Sequence, residues 1–253
     1  MTAKRHPIAL QLYSLRELAQ EDFVRTLELT AELGYEGVEF AGYGGLSTSE
    51  MKGHLDRLNL KAVSSHVSLE RLRDHLDEEM AYNRALGNLT LVCPAPPRDF
   101  ERTRENWIAL AKELTELGKK AADQGFRLGY HNHSFEFELF DGSYALDLLW
   151  EASEARYLFA QLDLGWVLHG GEDPVGYLRK MADRTPLVHI KDFDQNKKQT
   201  DVGCGELDLE NVLAAAADAG VVEWLILETE EYKVSPTASV RAGLENLRKA
   251  QAE

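Results

Sequence analysis

The sequence predicts an α/β protein built as one domain, a (β/α)8 TIM barrel running through residues 1–253. Three observations predict it. Eight short apolar runs alternate with segments of helical periodicity, the order expected of a parallel sheet covered by helices. No linker interrupts the series, and a helix follows the last strand. Polar residues recur at the C-terminal end of nearly every strand, the end at which such a barrel gathers its site. A doubly wound open sheet is the competing architecture. It fits less well, because no glycine-rich phosphate loop follows the first strand.

Ile8 to Tyr13 reads as the first strand. Phe23 to Leu33 has helical periodicity and stops at Gly34. Val38 to Phe40 is the second strand, closed by the glycine turn 42–45. Ser47 and Glu50 form a candidate capping box for a helix reaching Leu58. Leu60 to His66 is the third strand, and Leu69 to Leu86 a charged amphipathic helix. Leu89 to Cys93 is the fourth strand, which Pro94, Pro96 and Pro97 forbid from continuing. Arg102 to Ala122 is a long helix stopped near Gly125, and Phe126 to Asn132 is the fifth strand. Asp141-Gly142 marks a turn before a short helix from Ala145 to Trp150. Leu158 to Asp163 is the sixth strand, and the segment from Pro174 to Met181 is helical, with proline suited to its first turn. Leu187 to Lys191 is the seventh strand, followed by a polar loop from Asp192 to Glu206. An alanine-rich helix from Leu209 to Ala219 ends at Gly220. Trp224 to Leu227 is the eighth strand, and Val240 to Ala250 the closing helix.

Formal net charge is −15, which argues against a nucleic-acid backbone or an anionic membrane as the main partner. Cys93 and Cys204 are the only cysteines, so a disulfide framework is not indicated. No apolar run approaches the length of a membrane span. The basic start lacks a following apolar segment, so no secretory signal is expected and the cytoplasm is the expected location. Composition sets no oligomeric state, and a homo-oligomer is compatible with it.

Chemistry concentrates at the midpoint, in Tyr130-His131-Asn132-His133-Ser134-Phe135-Glu136-Phe137-Glu138. No hydrophobic core needs that composition, whereas a metal or a polar substrate would use it. Strict alternation places His131 and His133 on one strand face and Asn132 on the other. Barrel closure would bring this stretch together with Gln11, Glu39, His66, Asp163, His189, Lys191, Asp192, Glu228 and Glu230, all at or just beyond strand ends. Asp163, His189 and Glu228 close three successive apolar strands. Two carboxylates and an imidazole suit one divalent ion, Mn2+, Mg2+, Co2+ or Zn2+, and a ligand from the fifth strand would complete a set of four. The competing reading is a buried ion-pair network around His189. Lys191, two residues beyond His189 and so on the same face, is expected to contact substrate rather than to snorkel.

The chain resembles the sugar phosphate isomerase/epimerase superfamily, with its xylose isomerase-like TIM barrel. The resemblance covers nearly the whole length. It rests on Gly37-Val38-Glu39, Tyr130-His131-Asn132-His133, Leu162-Asp163-Leu164-Gly165-Trp166, Val188-His189-Ile190-Lys191-Asp192 and Leu227-Glu228. It implies one divalent ion, with Asp163, His189 and Glu228 as three of its ligands. Many such proteins close the fifth strand with a glutamate, but here that position is His131 and Glu136 follows five residues later. Glu136, brought back over the mouth by its loop, is the expected fourth ligand, with His131 or His133 as the alternative. The Tyr-His-Asn-His form looks closer to the branches that dehydrate keto-inositols and keto-sugars or cleave oxidised glycosides than to the free-ketose epimerases.

A divalent metal can chelate a carbonyl and its neighbouring hydroxyl and stabilise the enediolate left when the α-proton departs. Glu39, His66, His131, His133 and Lys191 are the rim groups that remain for acid, base and hydroxyl contacts. The leading expectation is therefore a metal-dependent isomerase or epimerase acting on a ketosugar or cyclitol. A keto-inositol or 3-keto-glycoside dehydratase, a lyase, is the alternative. A metal-dependent endonuclease or hydrolase and a non-catalytic sugar-binding barrel rank lower, the former because of the acidity of the chain.

Overall fold

The structure, a computed structural model, describes residues 5–252. Residues 1–4 of the basic start, read above for a leader, lie outside the described residues. Among the described residues eight parallel strands close into a barrel. They are β1 (Ile8–Gln11), β2 (Gly37–Phe40), β3 (Lys61–His66), β4 (Thr90–Cys93), β5 (Arg127–His131), β6 (Leu158–Asp163), β7 (Leu187–Ile190) and β8 (Trp224–Leu227). Each pairs with the next, and β8 returns to β1 with Ile8 opposite Leu225. Closure leaves no free sheet edge among them. No helix of the described residues is long and apolar enough to cross a membrane.

Strand alternation sorts the side chains into two cores. Leu10, Tyr130, Leu162, Val188, Ile190 and Leu227 join the large buried cluster formed with the helices. Ala9, Val63, Val92, Phe159, Leu187 and Ile226 form a separate apolar cluster, the floor of the barrel interior. Gly129 makes space for it, since a Cβ there would fall 2.4 Å from the Phe159 ring. Two residues further along the same faces stand Gln11, Glu39, Gln161 and His189, all fully buried. Two further again come Asp163 and Lys191, and beside them His131 and Glu228, two residues beyond Gly129 and Ile226. The interior therefore steps from apolar floor, through a polar layer, to a charged mouth.

Local signals act as read. Ser47 and Glu50 form a complete capping box on the helix Thr48–Leu58. Asp173 caps the helix Pro174–Lys180, with proline in its first turn. Asp141-Gly142 turns a short hairpin between Leu139–Phe140 and Ser143–Tyr144.

Several elements differ from the sequence reading. β1 ends at Gln11, and a 3-10 turn, Leu12–Leu15, leads into a helix, Arg16–Glu21. That helix buries none of its residues, so it has no apolar stripe to read. The expected single helix from Leu69 to Leu86 is two, Leu69–Asp74 and Leu76–Leu86, broken at His75 where φ is −138°. β5 stops at His131, so His133 is carried by the following turn and not by strand alternation. A seven-residue helix, Leu164–Gly170, starts directly on Asp163, which caps it. The closing helix begins at Pro236. The loop after β7 contains a short antiparallel pair, Asp192–Phe193 with Gln199–Thr200. One carboxylate organises it: Asp192 accepts hydrogen bonds from the backbone N–H of Phe193, Gly203, Gly205 and Leu207 at 2.8–3.0 Å.

Candidate metal centre and active site

The polar layer is built around Glu39. Its carboxylate accepts hydrogen bonds from Gln11 Nε2 at 2.7 Å, Gln161 Nε2 at 2.5 Å, Ser64 Oγ at 2.5 Å and His189 Nε2 at 2.7 Å. His66 Nε2 lies 3.0 Å away. These donors come from β1, β3, β6 and β7, so one side chain ties four strands together. Burial opposes the charge on Glu39, but the imidazoles of His66 and His189 outweigh it and hold the carboxyl well below its ordinary range. Saturated in this way, Glu39 positions other groups.

Above it, donor atoms of His131, Asp163, His189 and Glu228 all lie within 4.8 Å of one another. Each stands within one residue of the C-terminal end of its strand, as barrel geometry requires. His189 links the layers, with Nε2 on Glu39 and Nδ1 on Glu228 at 3.0 Å. Burial works against its charge, yet the two carboxylates raise it to about 10. Burial lifts Asp163 to about 6 against Lys191 and His189, and holds His131 well below the ordinary imidazole value. His131 is thereby kept neutral, the form that ligates metals.

Two buried atoms test whether a metal fits here. Asp163 Oδ2 and His131 Nδ1 find no hydrogen-bond partner among the described residues. Buried polar atoms are rarely left so, and a place for a bound ion is one recognised reason. Mixed imidazole and carboxylate donors suit a divalent ion. The residues therefore fit the expected metal.

The rest of the shell holds these donors. Asp163 Oδ1 accepts from Trp166 N at 2.8 Å, and Asn132 clamps the Asp163 backbone through both its N–H and its C=O. Gly165 lets this helix start press against β7, since a Cβ there would sit 2.3 Å from Lys191 O. Lys191 is fully buried. Its ammonium lies 2.5 Å from Glu230, 3.2 Å from Glu228 and 3.5 Å from Asp163, and 4.6 Å from the centre of the Trp166 ring. Burial opposes that charge, but the three carboxylates win and keep it protonated.

Glu136 is placed elsewhere. Its carboxylate is buried and accepts from Tyr130 Oη at 2.7 Å and His133 N at 2.8 Å. Burial raises it to about 7. It stands behind the turn that carries His133, whereas His131 joins Asp163, His189 and Glu228. His133 stacks on Phe135 and lies 5.0 Å, ring to ring, from His131. Burial and the Lys191 charge lower it to about 3. A cavity of about 430 Å³ opens over the cluster, lined among others by Tyr13, His66, His131, His133, Glu228 and Glu230.

Gln161, Ser64 and the clamping role of Asn132 are not in the sequence reading. Gln161 had a signal: it interrupts the apolar run Leu158–Leu162 two residues before Asp163, hence on the same face. Ser64 had none, because β3 carries a register shift opposite Val38 and Glu39.

Comparison with known proteins gives a consistent picture. The family model for the xylose isomerase-like TIM barrel matches residues 27–250. The inosose dehydratase of Clostridium botulinum (strain Alaska E43) is 24% identical over 89% of this chain and 88% of its own length. Among solved structures, a sugar phosphate isomerase/epimerase from Parabacteroides distasonis superposes with a TM-score of 0.82 at 24% identity, covering 97% of this chain and 98% of that one. A D-allulose 3-epimerase from Methylomonas sp. superposes at 0.71 with 14% identity, covering 99% and 100%.

Proposed function

The chain belongs to the xylose isomerase-like TIM barrel family, and from that premise we propose that it removes the proton next to a carbonyl in a ketosugar or cyclitol. His131, Asp163, His189 and Glu228 would hold one divalent ion. The observation that carries the proposal is their convergence beneath an open cavity, with Asp163 Oδ2 and His131 Nδ1 lacking hydrogen-bond partners among the described residues. When bound, a divalent ion supplies Lewis-acid polarisation of oxygen.

The remaining groups have roles that follow from their positions. His66 and His133 line the cavity and are the candidate proton acceptors. Glu39 and Gln161 fix His66 from behind, at 3.0 and 2.7 Å. Lys191, fully buried between Asp163, Glu228 and Glu230, holds those carboxylates in place beneath the cavity. Glu136 sets the turn that presents His133.

Return of the proton to the neighbouring carbon or the opposite face makes the enzyme an isomerase or epimerase, the leading reading. Loss of a β-hydroxyl makes it a dehydratase. One observation favours that second reading: the curated relative matched over 88% of its own length is named inosose dehydratase. Incubation in D2O with Mn2+ and a panel of ketoses, keto-inositols and 3-keto-glycosides tests both. Proton NMR should show α-deuterium entering one class. Exchange without water loss supports the first reading, and an enone or dione product the second. Failure of the whole panel to exchange, with metal bound and the fold intact, overturns the proposal.

A further inference from the structure

The polar layer has a direction, and Glu39 sets it. An ionised carboxylate accepts hydrogen bonds and never donates one. Every polar group turned toward Glu39 must therefore present a proton. Gln161 does so with its amide nitrogen, Nε2, on Glu39 Oε2 at 2.5 Å. The other end of that amide, the acceptor Oε1, is left facing His66 Nε2 at 2.7 Å. His66 Nε2 also lies 3.0 Å from Glu39 Oε1. Two acceptors against one ring nitrogen require the proton to sit on it. A neutral imidazole carries a single proton, so Nδ1 is bare. The ring lines the cavity over the cluster.

The same rule acts on His189. Its Nε2 donates to Glu39 Oε1 at 2.7 Å, which turns Nδ1 to the side of Glu228. A carboxylate behind an imidazole is the usual device that fixes which ring nitrogen meets a metal. One side chain thus sets two imidazoles, one for the ion and one for the substrate. His133, the other candidate acceptor, lacks such a setting: its Nδ1 has no hydrogen-bond partner among the described residues. Resting on the proton-abstraction reading above, we propose that Glu39 and Gln161 are positioning residues, a one-way relay that holds His66 as the Nε2–H tautomer so that its bare Nδ1 takes the α-proton. The electron pair of the broken C–H bond stays on the substrate as the enediolate, and the proton forms the new N–H bond at Nδ1. The imidazolium so formed keeps its Nε2 proton against Gln161 and Glu39, acceptors that favour the cation.

The relay dictates what an amide in place of the carboxylate does. Gln11 cannot turn over to meet a new donor, because its Oε1 already accepts from Tyr13 N at 3.0 Å. In Glu39→Gln the new oxygen therefore stays toward Gln11 and His189, and the new NH2 points toward Gln161 and Ser64. Ser64 Oγ can accept from it, but Gln161 must turn over. Its own NH2 then faces His66 Nε2, the closest contact of that nitrogen. His66 answers by carrying its proton on Nδ1, where it no longer accepts one.

Nitrogen NMR of the Mg2+-loaded, 15N-histidine-labelled protein reads the tautomer without any substrate, at a pH above the ordinary imidazole value of about 6.5. Loss of a signal in His66→Asn assigns it. Wild type is expected to show His66 protonated at Nε2 and bare at Nδ1, and Glu39→Gln to move the proton to Nδ1. Ser64→Ala removes a donor from the same carboxylate without entering the relay, and should keep the wild-type tautomer. In α-deuterium exchange at saturating Mn2+, Glu39→Gln should lower kcat at least about 100-fold with KM held within about threefold. A wild-type His66 protonated at Nδ1 or at both nitrogens would overturn the inference, and so would an unmoved proton in Glu39→Gln. An equal shift in Ser64→Ala, or a moved proton with kcat intact, would also overturn it. If Glu39→Gln does not fold, the wild-type and Ser64→Ala spectra still decide. If wild type exchanges no substrate, the proton-abstraction reading fails on its own, and the spectra judge the relay separately.

Discussion

Phe159 and Asp163 lie four residues apart on one strand, face the same interior, and are both buried, at 8% and 0% exposure. Around Phe159 the barrel is hydrocarbon, and burial there is favourable in proportion to the apolar area removed from water. Around Asp163 it holds carboxylates, an ammonium and imidazoles, whose desolvation costs more than surface pairs return. Burial thus stabilises the floor and taxes the mouth. A strand of six residues spans both regimes, so stability and chemistry should respond to different substitutions.

The largest separation is expected from Asp163→Ala. Exchange activity should fall at least about 1,000-fold, near 4 kcal/mol in barrier, with loss of bound divalent ion by elemental analysis. Stability should drop only by about 0.5–2 kcal/mol, the worth of its helix cap. Wild-type metal content in that variant would remove Asp163 from the centre. At the floor, Phe159→Ala should cost about 3–5 kcal/mol in urea denaturation, while the folded fraction keeps its metal. Metal loss in step with stability would show that the two regimes are not separable.

A smaller effect comes from pH. Burial keeps the Glu136 carboxyl protonated up to about 7, above its ordinary 4.5. The folded state therefore retains a proton that the unfolded chain has released. That stabilisation is complete below about 4.5 and is lost as pH rises through about 7. Glu136→Gln abolishes the titration, so wild type should lose up to about 3 kcal/mol relative to the variant between pH 4.5 and 8. Parallel urea curves of the metal-free proteins at the two pH values check this, and a constant difference would contradict it. The smallest contrast concerns the fourth ligand. His131→Ala should weaken divalent-ion affinity about tenfold or more, within the range known for perturbed metal sites, and Glu136→Gln by less. The reverse order would return the ligand role to the glutamate.

The strands were legible because a barrel buries both faces and needs apolar runs of fixed length. The convergence of Asp163, His189 and Glu228 was legible because each follows a short apolar run directly. The choice between His131 and Glu136 was not, since it depends on a turn: the 3-10 turn Phe135–Phe137 carries the glutamate away from the cluster. The helix Arg16–Glu21 escaped notice because it spans six residues and fully buries none of them, too little for a periodic signal. The break at His75 has no proline or glycine to announce it. Leu164–Gly170 was hidden by its own cap, because Asp163 read as a ligand drew attention from Asp163 as a helix start.

The Asp192 carboxylate binds four amides spread over fifteen positions of the loop from Phe193 to Leu207. Bonds that share one acceptor group do not open independently: releasing that group frees all four donors together. The loop should therefore behave as one opening unit. In hydrogen–deuterium exchange the amides of Phe193, Gly203, Gly205 and Leu207 should report a common opening free energy, well above that of the exposed turn residue Gln195.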